Sequence, residues 1–268
     1  MRTIEYDTRA LGGHPPESVR QILWDNPRSG AQSQPSGLVK DVFNRAGYSI
    51  DWLGIQRSPF YYTSREYSIV YNLQTKLTAV EWALEGTLDG RPILDLGCGA
   101  RKDTVETSGL HAGAQIKLHE PWFARILHRL GARVVGVDVG DLSGEEFEAH
   151  NLDLLGPDAL NSFPDQSFDL VHSSALYTSP ELQRRVSGHG YDGSLEAARA
   201  LVAVLRPQIS RLVKPNGCYL FRESFDYLTV DRSGYEIGTS PLSVFDPRII
   251  LENQLEAETR EGQLKLGI

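Results

Sequence analysis

The sequence predicts an α/β fold with a doubly wound, mostly parallel sheet and helices on both faces. Short apolar runs that are typical of buried strands recur along the chain as PILDL, VVGVD and FDLVHSS. Between them lie longer segments whose apolar residues repeat at helical spacing. Strands that alternate with helices at this spacing favour a mainly parallel sheet, because each helix serves as the crossover between two strands.

The first elements follow from apolar spacing and from stop signals. Residues 64–88 carry an apolar stripe at helical spacing, and Gly90 ends that helix before PILDL begins. A second helix starts at Pro121 and stops at Gly131. ARVVGVD then predicts the second strand, and FEAHNLD predicts a third, weaker one.

The later elements continue the alternation. FDLVHSS, residues 168–174, predicts a strand, and a long helix starts near Ser194, with Pro207 expected to kink or split it. KPNG predicts a turn and CYLFRES the next strand. In the tail, 225–268, PLSVF and QLKLGI could close the sheet as an antiparallel pair, which would give seven strands.

Two segments stand apart from this pattern. Residues 1–36 are rich in proline and glycine and predict irregular structure, so the chain divides into an N-terminal cap segment, 1–62, and a main domain, 63–268. Within that domain, about residues 100–120 form an insertion, ARKDTVETSGLHAGAQIKLHE. It is either a surface insertion, which loops tolerate, or a lid over the site from which it leaves.

Composition excludes several classes of function. The formal charge is −8, from 27 Lys and Arg against 35 Asp and Glu, and an acidic chain without a basic run is poorly suited to nucleic acid. No apolar stretch is long enough to span a membrane, and the N-terminus lacks the apolar core of a secretion signal. Two cysteines and seven scattered histidines give no metal-binding pattern, so we expect a reduced cytoplasmic protein without metal.

The glycine turn in DLGCG is the most informative stretch. Gly97 and Gly99 follow the first predicted strand of the main domain, where doubly wound sheets bind their ligands. A dinucleotide site would need a third glycine at position 102, which is Lys102, and no apolar helix begins there. Asp95 precedes the turn, where its charge would oppose a phosphate. The turn therefore favours a ligand without phosphate that carries positive charge nearby.

S-adenosylmethionine (SAM) fits this description, and the chain resembles the class I SAM-dependent methyltransferases, which share a Rossmann-like fold. Five segments match that family in its order: DLGCG, VVGVD, NLDLLG, FPDQSFDLVHSS and LVKPNGCYLF. Together they cover about half of the chain. The resemblance implies SAM as the cofactor, S-adenosylhomocysteine (SAH) as its product and a methyltransferase activity.

The resemblance also implies roles for individual residues. Asp95 and the turn would hold the methionine end, Asp138 would accept both ribose hydroxyls, and Asp153 would take the adenine amino group. Leu154 would pack on the adenine ring, and Ser173 and Ser174 would close the site under the methyl group. The predicted cofactor-binding set is Asp95, Leu96, Gly97, Cys98, Gly99, Asp138, Val139, Asp153, Leu154 and Ser173. Each of the three acids could instead be a loop or capping residue.

The acceptor and the catalytic base are less defined. His172, inside a strand, and His189, in a glycine-flanked loop, are the candidate bases, with packing and solvation as the structural alternatives. Tyr61, Tyr62 and Tyr67 could cover the sulfonium or simply pack. The fourth strand ends in HSSA. Enzymes that methylate amino groups of nucleic acids carry a sequence of the N-P-P-Y type at this place, and metal-dependent catechol enzymes carry an acidic residue there. Neither is present here.

We therefore expect O-, N- or C-methylation of a small molecule, and the oligomeric state stays open. The alternatives are a SAM-binding regulatory subunit or cyclase that does not methylate, and a methyltransferase of RNA or protein. An NAD(P) oxidoreductase is opposed by Lys102 and Asp95.

Overall fold

The structure is a computed structural model that describes residues 2–5, 15–26, 33–57, 64–84, 87–100, 119–174, 176 and 195–222. Within these ranges the strands are β1 Arg2–Glu5, β2 Pro92–Leu96, β3 Arg133–Asp138, β4 Glu148–Asn151, β5 Phe168–Ser174 and β6 Val213–Arg222. The helices are α1 Glu17–Leu23, α2 Gly37–Arg45, α3 Trp52–Arg57, α4 Arg65–Leu84, α5 Trp122–Arg129 and α6 Leu195–Leu212.

All neighbouring strands pair in parallel, and the sheet order is β1-β6-β5-β2-β3-β4. The chain moves outward from β2 to β3 and β4, then returns to place β5 on the other side of β2. This reversal between β2 and β5 is the point at which doubly wound sheets open a crevice at their carboxyl edge. The predicted α/β fold with a parallel sheet is confirmed.

Each face of the sheet has its own core. One face packs Ile93, Leu170 and Leu220 against the N-terminal helices, α4 and α5. The other packs Leu94, Val137 and Val171 against α6 and the loop before β5. Alternate residues of a strand point to opposite faces, so strands that are covered on both sides are apolar at successive positions. This burial explains the continuous apolar runs in β2, β3 and β5.

The N-terminal part is more regular than the prediction for residues 1–36. β1 pairs in parallel with β6, and α1 and α2 contribute buried residues to the same core as α4 and α5. Ser36 caps α2 by accepting a hydrogen bond from the Val39 N–H at 3.3 Å. Phe43 stacks on Trp122 at 4.5 Å between ring centroids. The described prolines of this segment, Pro15, Pro16 and Pro35, lie in the connections, where they interrupt no helix interior.

Two predictions near the C-terminal end of the described chain need correction. α6 is continuous from Leu195 to Leu212 with Pro207 inside it, so the proline does not split the helix. KPNG, which predicted a turn, lies within the bounds of β6. Phe168 pairs with Val213 and Leu170 pairs with Cys218, so four residues, 214–217, lie opposite Asp169 alone. This part of β6 is therefore a bulge in its pairing with β5.

The predicted seventh strand lies outside the described residues, as does the tail, 225–268. The insertion is described only at its two ends, by residue 100 and by residues 119–120. Among the described helices, none is both long and apolar enough to cross a bilayer.

Candidate functional site

The glycine turn lies at the carboxyl end of β2, beside the reversal of the chain. Gly97 has a φ of +64° and Gly99 a φ of +92°, conformations that residues with side chains rarely adopt. The N–H groups of Gly97 and Cys98 both donate to the carbonyl of Val137, at 2.8 and 3.1 Å. The turn is therefore tied to the end of β3, the next strand of the sheet.

Neighbouring backbone atoms require glycine at position 99, whereas at position 97 the positive φ is the stronger constraint, because the neighbouring leucine side chain can move. A Cβ at Gly99 would overlap the carbonyl oxygen of His119, and a Cβ at Gly97 would lie 2.8 Å from Cδ1 of Leu176. The N–H of Ala100 donates to the same His119 carbonyl at 3.1 Å. The chain thus leaves the turn and returns to it at one place, which makes this the attachment point of the insertion.

Asp95 is the most buried acid of the site, with 2% of its surface exposed. Its Oδ1 accepts a hydrogen bond from Nδ1 of His172 at 2.6 Å, across the β2–β5 ladder. Its Oδ2 is buried and accepts no hydrogen bond within the part of the chain that the structure describes. Such an oxygen costs free energy until a donor reaches it, so this carboxylate is suited to a cationic or N–H-bearing ligand group.

His172 is fully buried beneath the turn. Burial lowers its pKa, against the opposing effect of Asp95, so the imidazole is neutral at pH 7 and its Nδ1–H donates to the carboxylate. The ring of Phe123 lies 4.5 Å from the imidazole, between centroids. The side chain therefore has a defined tautomer and a packed position, which suit it to hold Asp95 in place.

Lys76 approaches this group from α4. Its Nζ lies 5.3 Å from the ring centroid of Phe123, and burial lowers the pKa of the ammonium while Asp95 raises it. The thiol of Cys98 lies in the same surroundings, and burial raises its pKa well above 9.0. A thiol kept protonated in this way is a packing group rather than a nucleophile.

Asp138 ends β3 and is already engaged by the backbone. Its Oδ2 accepts from the N–H of Gly99 and its Oδ1 from the N–H of Gly140, both at 2.9 Å. Burial raises the pKa of this carboxyl, and backbone hydrogen bonds from Gly140, Gly99 and Val139 oppose that rise. A carboxylate has about four acceptor positions, so these bonds leave part of its acceptor capacity for other donors.

The other predicted cofactor residues are distributed between surface and core. Asp153 is exposed, and its Oδ1 accepts from the Leu155 N–H at 3.1 Å, whereas Leu154 is buried. Val139 is 52% exposed directly after Asp138, which leaves an apolar surface at the carboxyl edge. Ser173 is fully buried on the opposite face of the sheet from Asp95, with Oγ 2.9 Å from the hydroxyl of Tyr219.

Several predicted residues are placed elsewhere or lie outside the description. His189, Tyr61 and Tyr62 lie outside the described residues. Tyr67 is half-buried, and its ring centroid is 6.4 Å from that of Tyr71 on the same helix and from that of Trp24, which follows α1. No group of three His, Cys, Asp or Glu side chains within the described ranges is placed to hold a metal ion.

Three polar residues where α4 meets the end of β6 were not among the predicted site residues. Asn72 and Lys76 lie one turn apart on α4, and Arg222 is the last residue of β6. Nη1 of Arg222 donates to Oδ1 of Asn72 at 3.0 Å. The signal was the interruption of an apolar helical stripe by an amide and an ammonium at i and i+4, which lie on one helix face.

Solved structures resemble the chain over part of its length. A SAM-dependent methyltransferase from Mesorhizobium loti is 24% identical, with 53% of this chain aligned to 52% of that one and a TM-score of 0.28. One from Archaeoglobus fulgidus is 19% identical over 56% of this chain and 49% of that one, with a TM-score of 0.31. Magnesium protoporphyrin IX methyltransferase from Synechocystis PCC 6803, crystallised with bound SAM, is 18% identical over 63% and 69%, with a TM-score of 0.32.

These structural neighbours are methyltransferases. The chain spans about half the length of the first two. No protein-family model and no curated protein sequence matches the chain. What this protein does is therefore inferred from its own site.

Proposed function

We propose that this protein is a SAM-dependent methyltransferase that transfers a methyl group to an oxygen, nitrogen or carbon of a small molecule. The buried carboxylate of Asp95, with Oδ2 unpartnered beside the glycine turn, is the observation that carries the proposal. The ammonium of the methionine end of SAM is a donor of the charge and type that this oxygen lacks.

The start of α5 supports a ligand without phosphate. A dinucleotide places its pyrophosphate on the N–H groups of the helix that follows the glycine turn. Here the next described helix begins at Trp122, and the carboxylate of Glu120 is buried directly before it. That carboxylate pairs with Arg125 at 2.7 Å and accepts a hydrogen bond from Tyr48. A pyrophosphate would meet a negative charge at this position.

The remaining cofactor roles follow the order of the strands. The acceptor capacity that Asp138 has left suits the ribose hydroxyls, and the same carboxylate fixes the turn through the Gly99 N–H. The exposed apolar surface of Val139, with the side chain of Leu154, suits the adenine ring, and Asp153 would lie at its rim. We therefore assign adenosine to the β3–β4 side of the reversal and the methionine end to β2.

Bound SAM supplies an activated methyl group, and the protein has to align the acceptor and exclude water. His172 serves that end indirectly in our proposal: it is fully buried, and it fixes the orientation of Asp95 rather than touching the acceptor. His189 is the candidate for the general base.

Calorimetry with SAH tests cofactor binding. We expect micromolar affinity for wild type, about ten- to a hundredfold weaker binding for Asp95→Asn, and no signal with NADH. Asp169→Asn is the matched control, because that acid lies on β5 near its amino end and pairs with Lys214 at 2.8 Å. Tight NADH binding, or Asp95→Asn protein that is folded and binds SAH as wild type does, would refute the proposal.

Transfer itself needs a second measurement. Wild-type protein incubated with methyl-labelled SAM and a metabolite extract is expected to move the label into small molecules. SAH binding without any transfer would instead support a non-methylating regulator or cyclase.

A further inference from the structure

We infer that Arg222 and Lys76 form a subsite for a carboxylate of the acceptor molecule. The inference rests on the proposed function and extends it, because it assigns the acceptor to the class of organic acids. The subsite lies where the end of β6 meets α4, at the carboxyl edge of the sheet and two strands from the strand that carries Asp95.

Arg222 is oriented but not neutralised. Its guanidinium donates through Nη1 to the neutral amide oxygen of Asn72 and forms no ion pair with a carboxylate in the described ranges. Other partly buried arginines differ: Arg125 pairs with two carboxylates, and Arg211 pairs with Asp165 at 2.5 Å. An arginine fork held by an amide keeps its remaining N–H donors available for a carboxylate, which it can bind at two points.

Lys76 adds a second positive charge to the same space. Its ammonium makes no hydrogen bond or ion pair within the described residues, and its close contact is the ring of Phe123. The charge of Arg222 lowers the pKa of Lys76 and of His172, in addition to the larger effect of burial. Arg222 is held by Asn72, one helical turn from Lys76, so the guanidinium lies close enough to the ammonium to repel it, and an anion near both would relieve the repulsion.

The balance of charge points to an anionic ligand. The two cations share one buried acid, Asp95, whose free oxygen we have assigned to the ammonium of the cofactor. That ammonium arrives together with the cofactor's own carboxylate, so cofactor binding leaves the excess of Lys76 and Arg222 over Asp95 at one positive charge. In a half-buried space this imbalance is costly, and one carboxylate from a second ligand reduces it.

The position of Arg222 assigns that carboxylate to the acceptor rather than to the cofactor. The proposed cofactor extends from β2 toward β3 and β4, whereas β6 lies two strands from β2 on the other side. Neighbouring strands are about 4.8 Å apart, so Arg222 lies about 10 Å along the sheet from the end of β2. The acceptor has to approach from this side of the transferred methyl group.

The test is calorimetric binding of three monocarboxylates, butyrate, benzoate and indole-3-acetate, beside their uncharged amides. We expect at least one acid to bind wild type about tenfold or more tightly than its amide. Arg222→Gln should reduce that affinity about ten- to a hundredfold, with Arg222→Lys between the two. If every acid binds no better than its amide, the subsite does not exist, and this comparison needs no variant.

Arg133→Gln is the matched control. Arg133 also lies at a strand end and donates to a neutral oxygen, the Gly90 carbonyl at 3.0 Å, but at the amino edge of the sheet. Its substitution should leave acid binding unchanged. Equal losses in Arg133→Gln and Arg222→Gln would overturn the assignment of the site to Arg222. Circular dichroism on each sample establishes that it is folded.

A second pair of ligands distinguishes the source of the carboxylate. SAH has the amino-acid end, whereas 5′-methylthioadenosine lacks it. We expect Arg222→Gln to change the affinity for either ligand less than threefold. Selective loss of SAH affinity would mean that Arg222 holds the carboxylate of the cofactor, which overturns the assignment to the acceptor.

The affinity for each monocarboxylate ligand is measured with and without SAH. If wild type fails to bind SAH, the methyltransferase proposal fails, while the comparison of acids with amides still decides whether the anion subsite exists.

Discussion

Two charged clusters adjoin α5, and they differ in how completely their charges are paired. In the first, the arginine cluster, Arg125 lies between Glu120 and Glu145 at 2.7 and 2.6 Å, and all three side chains are at most 10% exposed. Tyr48 adds a hydrogen bond to Glu120, and the guanidinium lies 4.8 Å from the ring centroid of Trp122. This cluster is complete without a ligand.

The second, the aspartate cluster, consists of Asp95, His172, Lys76 and Arg222. It leaves one carboxylate oxygen and two cations without ionic partners in the described chain. A fully paired cluster stabilises one arrangement of the backbone, here the return of the insertion to the turn. An incompletely paired one costs free energy in the protein alone and gains it when a ligand binds.

Breaking the arginine cluster should give the largest effect. Arg125→Gln leaves two buried carboxylates without their cation, and we expect a loss of about 3–5 kcal/mol in the free energy of unfolding. Urea denaturation followed by circular dichroism measures it. A loss below about 1 kcal/mol would mean that the cluster is hydrated and that its pairing is not structural.

The aspartate cluster should make stability depend on pH. Because the pKa of His172 is lowered in the folded protein, the unfolded chain binds a proton below about pH 6.5 that the folded protein does not. Stability should therefore fall as the pH drops below 6.5, by up to about 1.4 kcal/mol per pH unit from this group.

His172→Asn tests this attribution, since an amide nitrogen can take the place of Nδ1 beside Asp95 without titrating. We expect the variant to be less stable at pH 7 and to have a shallower dependence on pH, measured by urea denaturation between pH 5 and 7.5. An unchanged slope would assign the pH dependence to other groups.

Removing the charge of Asp95 should cost little stability. Asp95→Asn keeps an acceptor for the Nδ1–H of His172 and removes a buried anion with a free oxygen, so we expect a change within about 1 kcal/mol. The same urea series measures it. A loss as large as that of Arg125→Gln would show that the two clusters are alike and that Asp95 is a structural acid.

The smallest effect is expected where the same chemistry is exposed. Arg129 pairs with Asp41 at 2.7 Å with about a third of its side chain exposed. Arg129→Gln should change the free energy of unfolding by at most about 1 kcal/mol, because water and salt screen the pair. A larger loss would show that this partly exposed pair contributes to stability in the same way as the buried pairs of the arginine cluster.

The sequence alone determined most of the sheet. β2, β3 and β5 are short, continuous apolar runs that end in turn residues, and burial on both faces imposes that pattern whatever packs above them. The predicted bounds of β5 are the observed ones, Phe168–Ser174. The glycine turn was predictable in the same way, because positive φ angles at Gly97 and Gly99 restrict the residue type locally.

Tertiary structure decided the partners of the charged residues. Asp95 and His172 are 77 positions apart, and only the parallel register of β2 and β5 places them side by side. Arg222 and Asn72 are 150 positions apart and meet because α4 covers the end of β6. Local sequence restricts backbone conformation and burial, whereas the pairing of distant charges depends on strand order and register, which arise only when the whole sheet assembles.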